Sequence, residues 1–169
     1  MAPAVRALAL CAALVAGAMD TVAAEEELIR GRVVRVLDGD TVSVRDAARR
    51  QHRVRLAGCD APARGKPFGE RSRQNLAALL HGREVEARCM KRDRYGRLVC
   101  DVLIGSRDAC LEQVRDGLAW HYRYFAHEQT PGERARFEDA EARARAARRG
   151  LWADPSAAVP ERSAGAAAR

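Results

Sequence analysis

Three short runs of this 169-residue chain bring carboxylates and arginines close to strand ends and turns: Val36-Leu-Asp-Gly-Asp-Thr-Val42, Arg55-Leu-Ala-Gly-Cys-Asp-Ala-Pro62 and Asp93-Arg-Tyr-Gly-Arg97. Converging carboxylate oxygens suit a hard cation, and planar guanidinium forks beside that cation suit a phosphate. Asp40 and Asp60 are the candidate ligands, with the main-chain carbonyl of Ala61 and waters completing the shell. Every donor is oxygen, which favours Ca²⁺ over zinc. Arg55 and Arg97 are the candidate groups to grip a phosphate and stabilise charge that grows as it is attacked. Taken alone, each arginine reads first as a solvated surface charge, and Asp38-Gly39-Asp40 reads first as a plain hairpin turn. Arg94 and Tyr95 add a phosphate contact and a base-stacking surface. The set implies metal-dependent cleavage of a phosphodiester in nucleic acid. Ala63 stands where such a site would want a general base.

The elements that must position these residues begin at Ile29. Val34 and Val36, Val42 and Val44, and Val54 and Leu56 each alternate with polar residues, which predicts three antiparallel strands joined by turns at Asp38-Gly39 and 46–51. Pro62 to Pro67 breaks the pattern. Phe68 to Leu80 carries Leu76, Leu79 and Leu80 on one face, an amphipathic helix ending near Gly82. Strands over 84–90 and 98–104 flank an arginine-rich turn. A short helix is expected over 108–117 and a long charged one over 131–149, with Leu151 and Trp152 docking back. Trp120, Tyr122, Tyr124 and Phe125 read either as base-stacking groups or as packing. Five strands with a helix between the third and fourth match the count and order of an OB-fold β-barrel, an α+β fold with about three packed α-helices.

Residues 1–24 read as a cleaved signal peptide: Arg6 supplies a positive start, Ala7 to Ala18 are apolar but too short to span a bilayer, and Val22-Ala-Ala24 suit a peptidase. The domain is then 25–153 and the tail 154–169 is expected to be disordered. These features predict a secreted or periplasmic protein with no stable membrane insertion. The formal charge of +7 survives removal of the leader, because Arg6 and Asp20 cancel. That charge supports a nucleic-acid partner only weakly, since anionic surfaces would suit it too. Cys59, Cys89, Cys100 and Cys110 remain after cleavage, an even number that favours disulfides in an oxidising compartment. Cys89 and Cys100 flank a hairpin turn and are the pair expected; Cys59 and Cys110 either pair or stay buried. No cysteine spacing resembles a zinc site.

In order and spacing, the three runs resemble the staphylococcal nuclease (thermonuclease) family. The similarity runs from about Arg30 to Trp152 and includes Gly117-Leu-Ala119 and Leu151-Trp152. The resemblance implies an OB-fold barrel and calcium-dependent cleavage of DNA and RNA, single-stranded or frayed, leaving 3′-phosphates. It implies Asp40 and Asp60 on calcium, Asp38 supporting the metal, Arg55 and Arg97 on the scissile phosphate, and Arg94 and Tyr95 on the nucleotide. One departure stands out. The family usually reads Asp-x-Pro-Glu, whereas this chain reads Asp60-Ala-Pro-Ala63, and alanine accepts no proton. Loss of a general base costs on the order of 10²–10⁴-fold in rate. Glu70, at the start of the next helix, is a candidate substitute, although a charge favoured near a helix N-terminus is its ordinary role. The expectation is a secreted monomeric nuclease of reduced rate; the alternative is a catalytically impaired nucleic-acid-binding module.

Overall fold

The computed structural model describes residues 27–154 together with Ala157 and Pro160. The signal peptide expected over 1–24 and most of the tail expected over 154–169 lie outside the described residues.

Alternating inward side chains build the barrel. Strands β1 (Glu27–Val36), β2 (Thr41–Asp46) and β3 (Gln51–Leu56) form an antiparallel meander, and β5 (Glu84–Arg92) and β6 (Leu98–Ile104) form a hairpin on the other side of β1. A parallel pairing of β3 with β6 closes the ring, with Val54 opposite Leu98, Arg55 opposite Val99 and Leu56 opposite Cys100. Closure removes the exposed sheet edge that an open five-stranded sheet would carry. Val33, Val42, Val44, Val54, Ala87, Cys100 and Val102 fill the interior with no solvent exposure. The fold is the five-stranded OB-type α+β barrel expected from the strand count.

Three short strands were not expected from the sequence: β4 (Cys59–Asp60), β7 (Arg107–Asp108) and β8 (Trp120–His121). Two residues are too few to show a period, so only pairing reveals them. β4 and β8 pair with each other, setting Asp60 opposite Trp120.

Helices α1 (Gly69–Leu80), α2 (Ala109–Arg115) and α3 (Pro131–Ala146) pack outside the barrel. Leu76 and Leu80 from α1 and Val114 from α2 are fully buried against it. Asp108 caps α2 by accepting from the backbone N–H of Cys110 and Leu111, and Thr130 with Glu133 forms a capping box at the start of α3. α3 stops at Ala146, short of the Arg149 expected, because Arg148 turns to a left-handed backbone (φ 50°) and Arg149 N–H closes back on the Ala144 carbonyl. Leu151 then docks as a buried plug. Among the described residues, no helix is long and apolar enough to cross a membrane.

The structure holds two disulfides. Cys89–Cys100 crosses the β5–β6 hairpin, and Cys59–Cys110 ties β4 to α2. The second pairing was left open by the sequence.

Candidate active site

The β1–β2 connection carries Asp38 and Asp40, and neighbouring elements hold it rigidly. Gln113 of α2, fully buried, donates to the Gly39 carbonyl at 2.7 Å and to the Ser72 carbonyl at 3.1 Å, while accepting from Asn75 at 2.7 Å. Ser72 Oγ presses so close that a Cβ on Gly39 would lie 1.9 Å from it. Only glycine fits between the two carboxylates, which gives the turn glycine a packing reason beyond its backbone freedom. A satisfied buried polar network of this kind fixes one geometry for the loop above it.

Arg55 bridges the carboxylates. Its guanidinium lies 3.2 Å from Asp40 Oδ2 and 2.9 Å from Asp60 Oδ1, and its Cζ sits 5.3 Å from the centre of the Tyr122 ring. Burial opposes the charge on Arg55, but Asp40 and Asp60 outweigh it and keep the guanidinium protonated. Burial pushes the Asp40 carboxyl up to about 7; Arg55 pulls against that rise and neighbouring Asp38 adds to it. Burial, more than the charge of Asp38, sets that rise.

Arg97 enters from the β5–β6 turn. Asp93 holds it twice, accepting from Arg97 Nε at 2.6 Å and from its backbone N–H at 3.0 Å. Burial works against ionisation of Asp93, but the bonds from Arg97 and the Tyr95 N–H outweigh it and keep the carboxyl below its usual value. Thr41 links the two halves: its Oγ1 donates to Asp40 Oδ1 at 2.8 Å and accepts from Arg97 Nη1 at 3.3 Å. The barrel closure explains the meeting. Arg55 pairs with Val99 across β3 and β6, so Arg97, two residues earlier, stands on the same face.

The carboxylates and arginines of this set line one cleft of about 890 Å³. Its lining includes Asp38, Asp40, Arg55, Asp60 and Ala61, then Arg94, Tyr95 and Arg97, and the aromatic rings of Tyr122, Tyr124 and Phe125. Tyr95 is two-thirds exposed at the rim, with Arg94 and Arg97 both near its ring. Trp120 is buried instead, 4 % exposed, and acts as packing. Thr41, Asp93 and Gln113 were assigned no role from sequence. Thr41 and Asp93 sit inside the quoted runs, and that position was the available signal; Gln113 gave none.

Ala63 opens onto the cleft and presents no carboxylate. Glu70 does not replace it. Its carboxylate accepts from Arg73 at 3.0 and 2.6 Å and from Gln74 at 3.0 Å, bonds that hold it at about 2, and it is not among the cleft-lining residues. Three other acids that line the cleft are engaged elsewhere: Asp108 caps α2, Glu133 closes the α3 capping box, and Glu128 pairs with Lys91.

Sequence comparison carries the site further. The family described as "Staphylococcal nuclease homologue" matches residues 53–154. The chain is 41 % identical over 140 residues to the micrococcal nuclease of Shigella flexneri, covering 78 % of each protein. The chain belongs to the staphylococcal nuclease family. Within that family it is also 38 % identical over 141 residues to protein ParB of Escherichia coli, covering 78 % of this chain and 77 % of the relative. An uncharacterized endonuclease of Haemophilus influenzae is 33 % identical over 129 residues, covering 76 % and 69 %.

Among the described residues, no three His, Cys, Asp or Glu side chains gather as a metal cage. The donor chemistry still fits a hard cation of the kind this family uses. Asp40 and Asp60 converge closely enough for one guanidinium to touch both, and Asp38 stands two residues from Asp40 on the same turn. Two carboxylates with a backbone carbonyl and water are an ordinary oxygen set for such an ion.

Proposed function

We propose that this protein is a calcium-dependent nuclease, a monomer that hydrolyses phosphodiester bonds of single-stranded or frayed DNA and RNA outside the cytoplasm, at a rate reduced by Ala63. One observation carries the reading: two guanidinium groups and two carboxylates share a single cleft, with Arg55 touching both acids. Binding alone does not require two carboxylates beside a phosphate site. The family membership and the nuclease names of its relatives support the same reading.

Arg55 and Arg97 would hold the scissile phosphate from two sides and stabilise the charge that develops on its oxygens. Asp93 and Thr41 keep Arg97 aimed before substrate arrives, which lowers the ordering cost at the moment of reaction. Arg94 and exposed Tyr95 would contact the flanking nucleotide, the ring offering a sequence-tolerant stacking face. Asp40, Asp60 and the Ala61 carbonyl would hold calcium, with Asp38 in support. Calcium, when bound there, supplies a fixed positive charge beside the phosphate. The leader-like residues 1–24 and the two disulfides support an oxidising compartment.

Denatured DNA and RNA incubated with the mature protein and calcium are expected to be cut, and a chelator to stop the cutting. Asp40→Ala is expected to reduce cleavage to the chelated level. Cleavage that ignores both the chelator and Asp40→Ala would remove the calcium site from this reading. The second reading, a nucleic-acid-binding module without efficient chemistry, is favoured by Ala63; tight binding with no cleavage would establish it.

A pH signature accompanies the metal. A proton on Asp40 competes with calcium for the same carboxylate. Because this carboxyl is raised to about 7, its protonated form stabilises the metal-free fold at low pH, and that contribution is lost as pH rises through about 7. Calcium acts in the opposite sense. The rise in melting temperature on adding calcium is therefore expected to grow with pH and to level off above about 7. Thermal melts with and without calcium across this range check it; a calcium shift independent of pH would count against Asp40 as a ligand.

A further inference from the structure

A second concave surface lies beside the cleft. Val34, Leu37 and Ala77 form its apolar floor, and Arg35, Arg64, Arg73 and His81 rise around it, enclosing about 350 Å³ between β1 and α1. A bulge in β1 between Val33 and Arg35 breaks the strand's register here, and Arg35 is exposed at the pocket. Glu70 is the carboxylate that answers this cluster, and it is bonded to Arg73. Glu70 also feels the charge of Arg64, so three arginines, Arg35, Arg64 and Arg73, share one carboxylate and the pocket keeps a positive excess. The two cavities are contiguous along the chain: Ala63 lines the cleft and the next residue, Arg64, lines this pocket.

We propose that this pocket is a second phosphate subsite, holding a phosphodiester of the same nucleic-acid strand that occupies the cleft, with the sugar or base against Val34, Leu37 and Ala77. Arg35 and Arg64 supply the planar donors that suit phosphate oxygens, and Arg73 is held in place by Glu70. An apolar floor beneath a basic rim suits a nucleotide unit better than a bare anion. The loop from Ala61 to Phe68 is then the ridge over which the strand passes. The proposal rests on the nuclease reading above and adds to it a preference for strands long enough to cross that ridge.

Binding by fluorescence anisotropy, with a chelator present and strand integrity checked on a gel, tests it. The probes are a dinucleotide with terminal phosphates, which fills the cleft alone, and a long single-stranded oligonucleotide. The double variant Arg35→Ala/Arg64→Ala changes two exposed side chains that make no hydrogen bond or close ion pair among the described residues, and its melting temperature is expected to match the wild type. It is expected to weaken long-strand binding about tenfold at low salt and to flatten the salt dependence by about one to two counterions. Dinucleotide binding should not change. Equal effects on both probes, or none on the long strand, would overturn the subsite while leaving the nuclease reading standing. An equal loss from Arg49→Ala/Arg148→Ala, residues outside both cavities, would show bulk charge at work and also overturn it. Loss of inorganic phosphate binding with the long strand unaffected would assign the pocket to a free anion instead. A wild-type protein that binds neither probe and also leaves denatured DNA and RNA uncut in calcium would end the nuclease reading itself.

Discussion

Ala63→Glu is expected to raise the rate of single-stranded DNA cleavage in calcium by about 10²–10⁴-fold, the range a positioned general base contributes. The backbone at this position is already held for such a residue. The Ala63 carbonyl accepts from the Lys66 N–H at 3.0 Å, and Gly69 packs so close that a Cβ there would lie 2.2 Å from the Ala63 carbonyl oxygen. The side chain itself is exposed and opens onto the cleft, so a longer group meets no core. A new carboxylate would stand three residues from Asp60, in the cleft that Arg55 also lines. The gain should lie in kcat with KM little altered, because the added group acts on the reacting water rather than on substrate binding. No gain, with binding intact, would mean that the arginines and carboxylates here no longer assemble a working site.

Removing the Cys59–Cys110 bond should be the most costly structural change near the site. The sulfurs join residues 51 apart in sequence, and cross-linking a loop of that length is worth about 4 kcal/mol in chain entropy. Against a total stability of about 5–15 kcal/mol, that is a large share. Cys59→Ser/Cys110→Ser is expected to lower the melting temperature by on the order of 15 °C. Cleavage should fall as well, since Cys59 adjoins Asp60 and the bond fixes β4 against α2, whose Gln113 supports the Asp38–Asp40 turn. Cys89–Cys100 closes a loop of only 11 residues between strands that already pair, worth about 3 kcal/mol, so its removal should cost less. Thermal melts of the two double-serine variants decide the order, and the reverse order would refute the argument.

The residues of the candidate site differ in how far each could be read in advance. Asp40, Asp60, Arg55 and Arg97 were legible because their types are those that metal and phosphate chemistry demands, and each sits at a strand end or turn marked by glycine or proline. Tyr122 was legible only as one aromatic among several; its place under Arg55 depends on how β8 and the following 3₁₀ turn pack. Glu70 and Ala63 separate two kinds of information. That Ala63 lacks a carboxylate is plain in the sequence, whereas the commitment of Glu70 to Arg73 needed the geometry of α1. Gln113 was invisible, since a glutamine in a short helix has no pattern that distinguishes a buried girder from a surface group.

By itself the sequence determined the local structure: which segments alternate as strands, where the helices run, and which chemical groups stand at the turns. Those features follow from the side-chain period and from backbone preferences within a few residues. Only the tertiary structure decided the parallel join of β3 to β6 that puts Arg97 on the face of Arg55, the Cys59–Cys110 partnership, and the support of Gly39 by Ser72 and Gln113. Each joins residues more than 30 positions apart, and such contacts form through burial and closure of the whole barrel, which no short window of residues encodes.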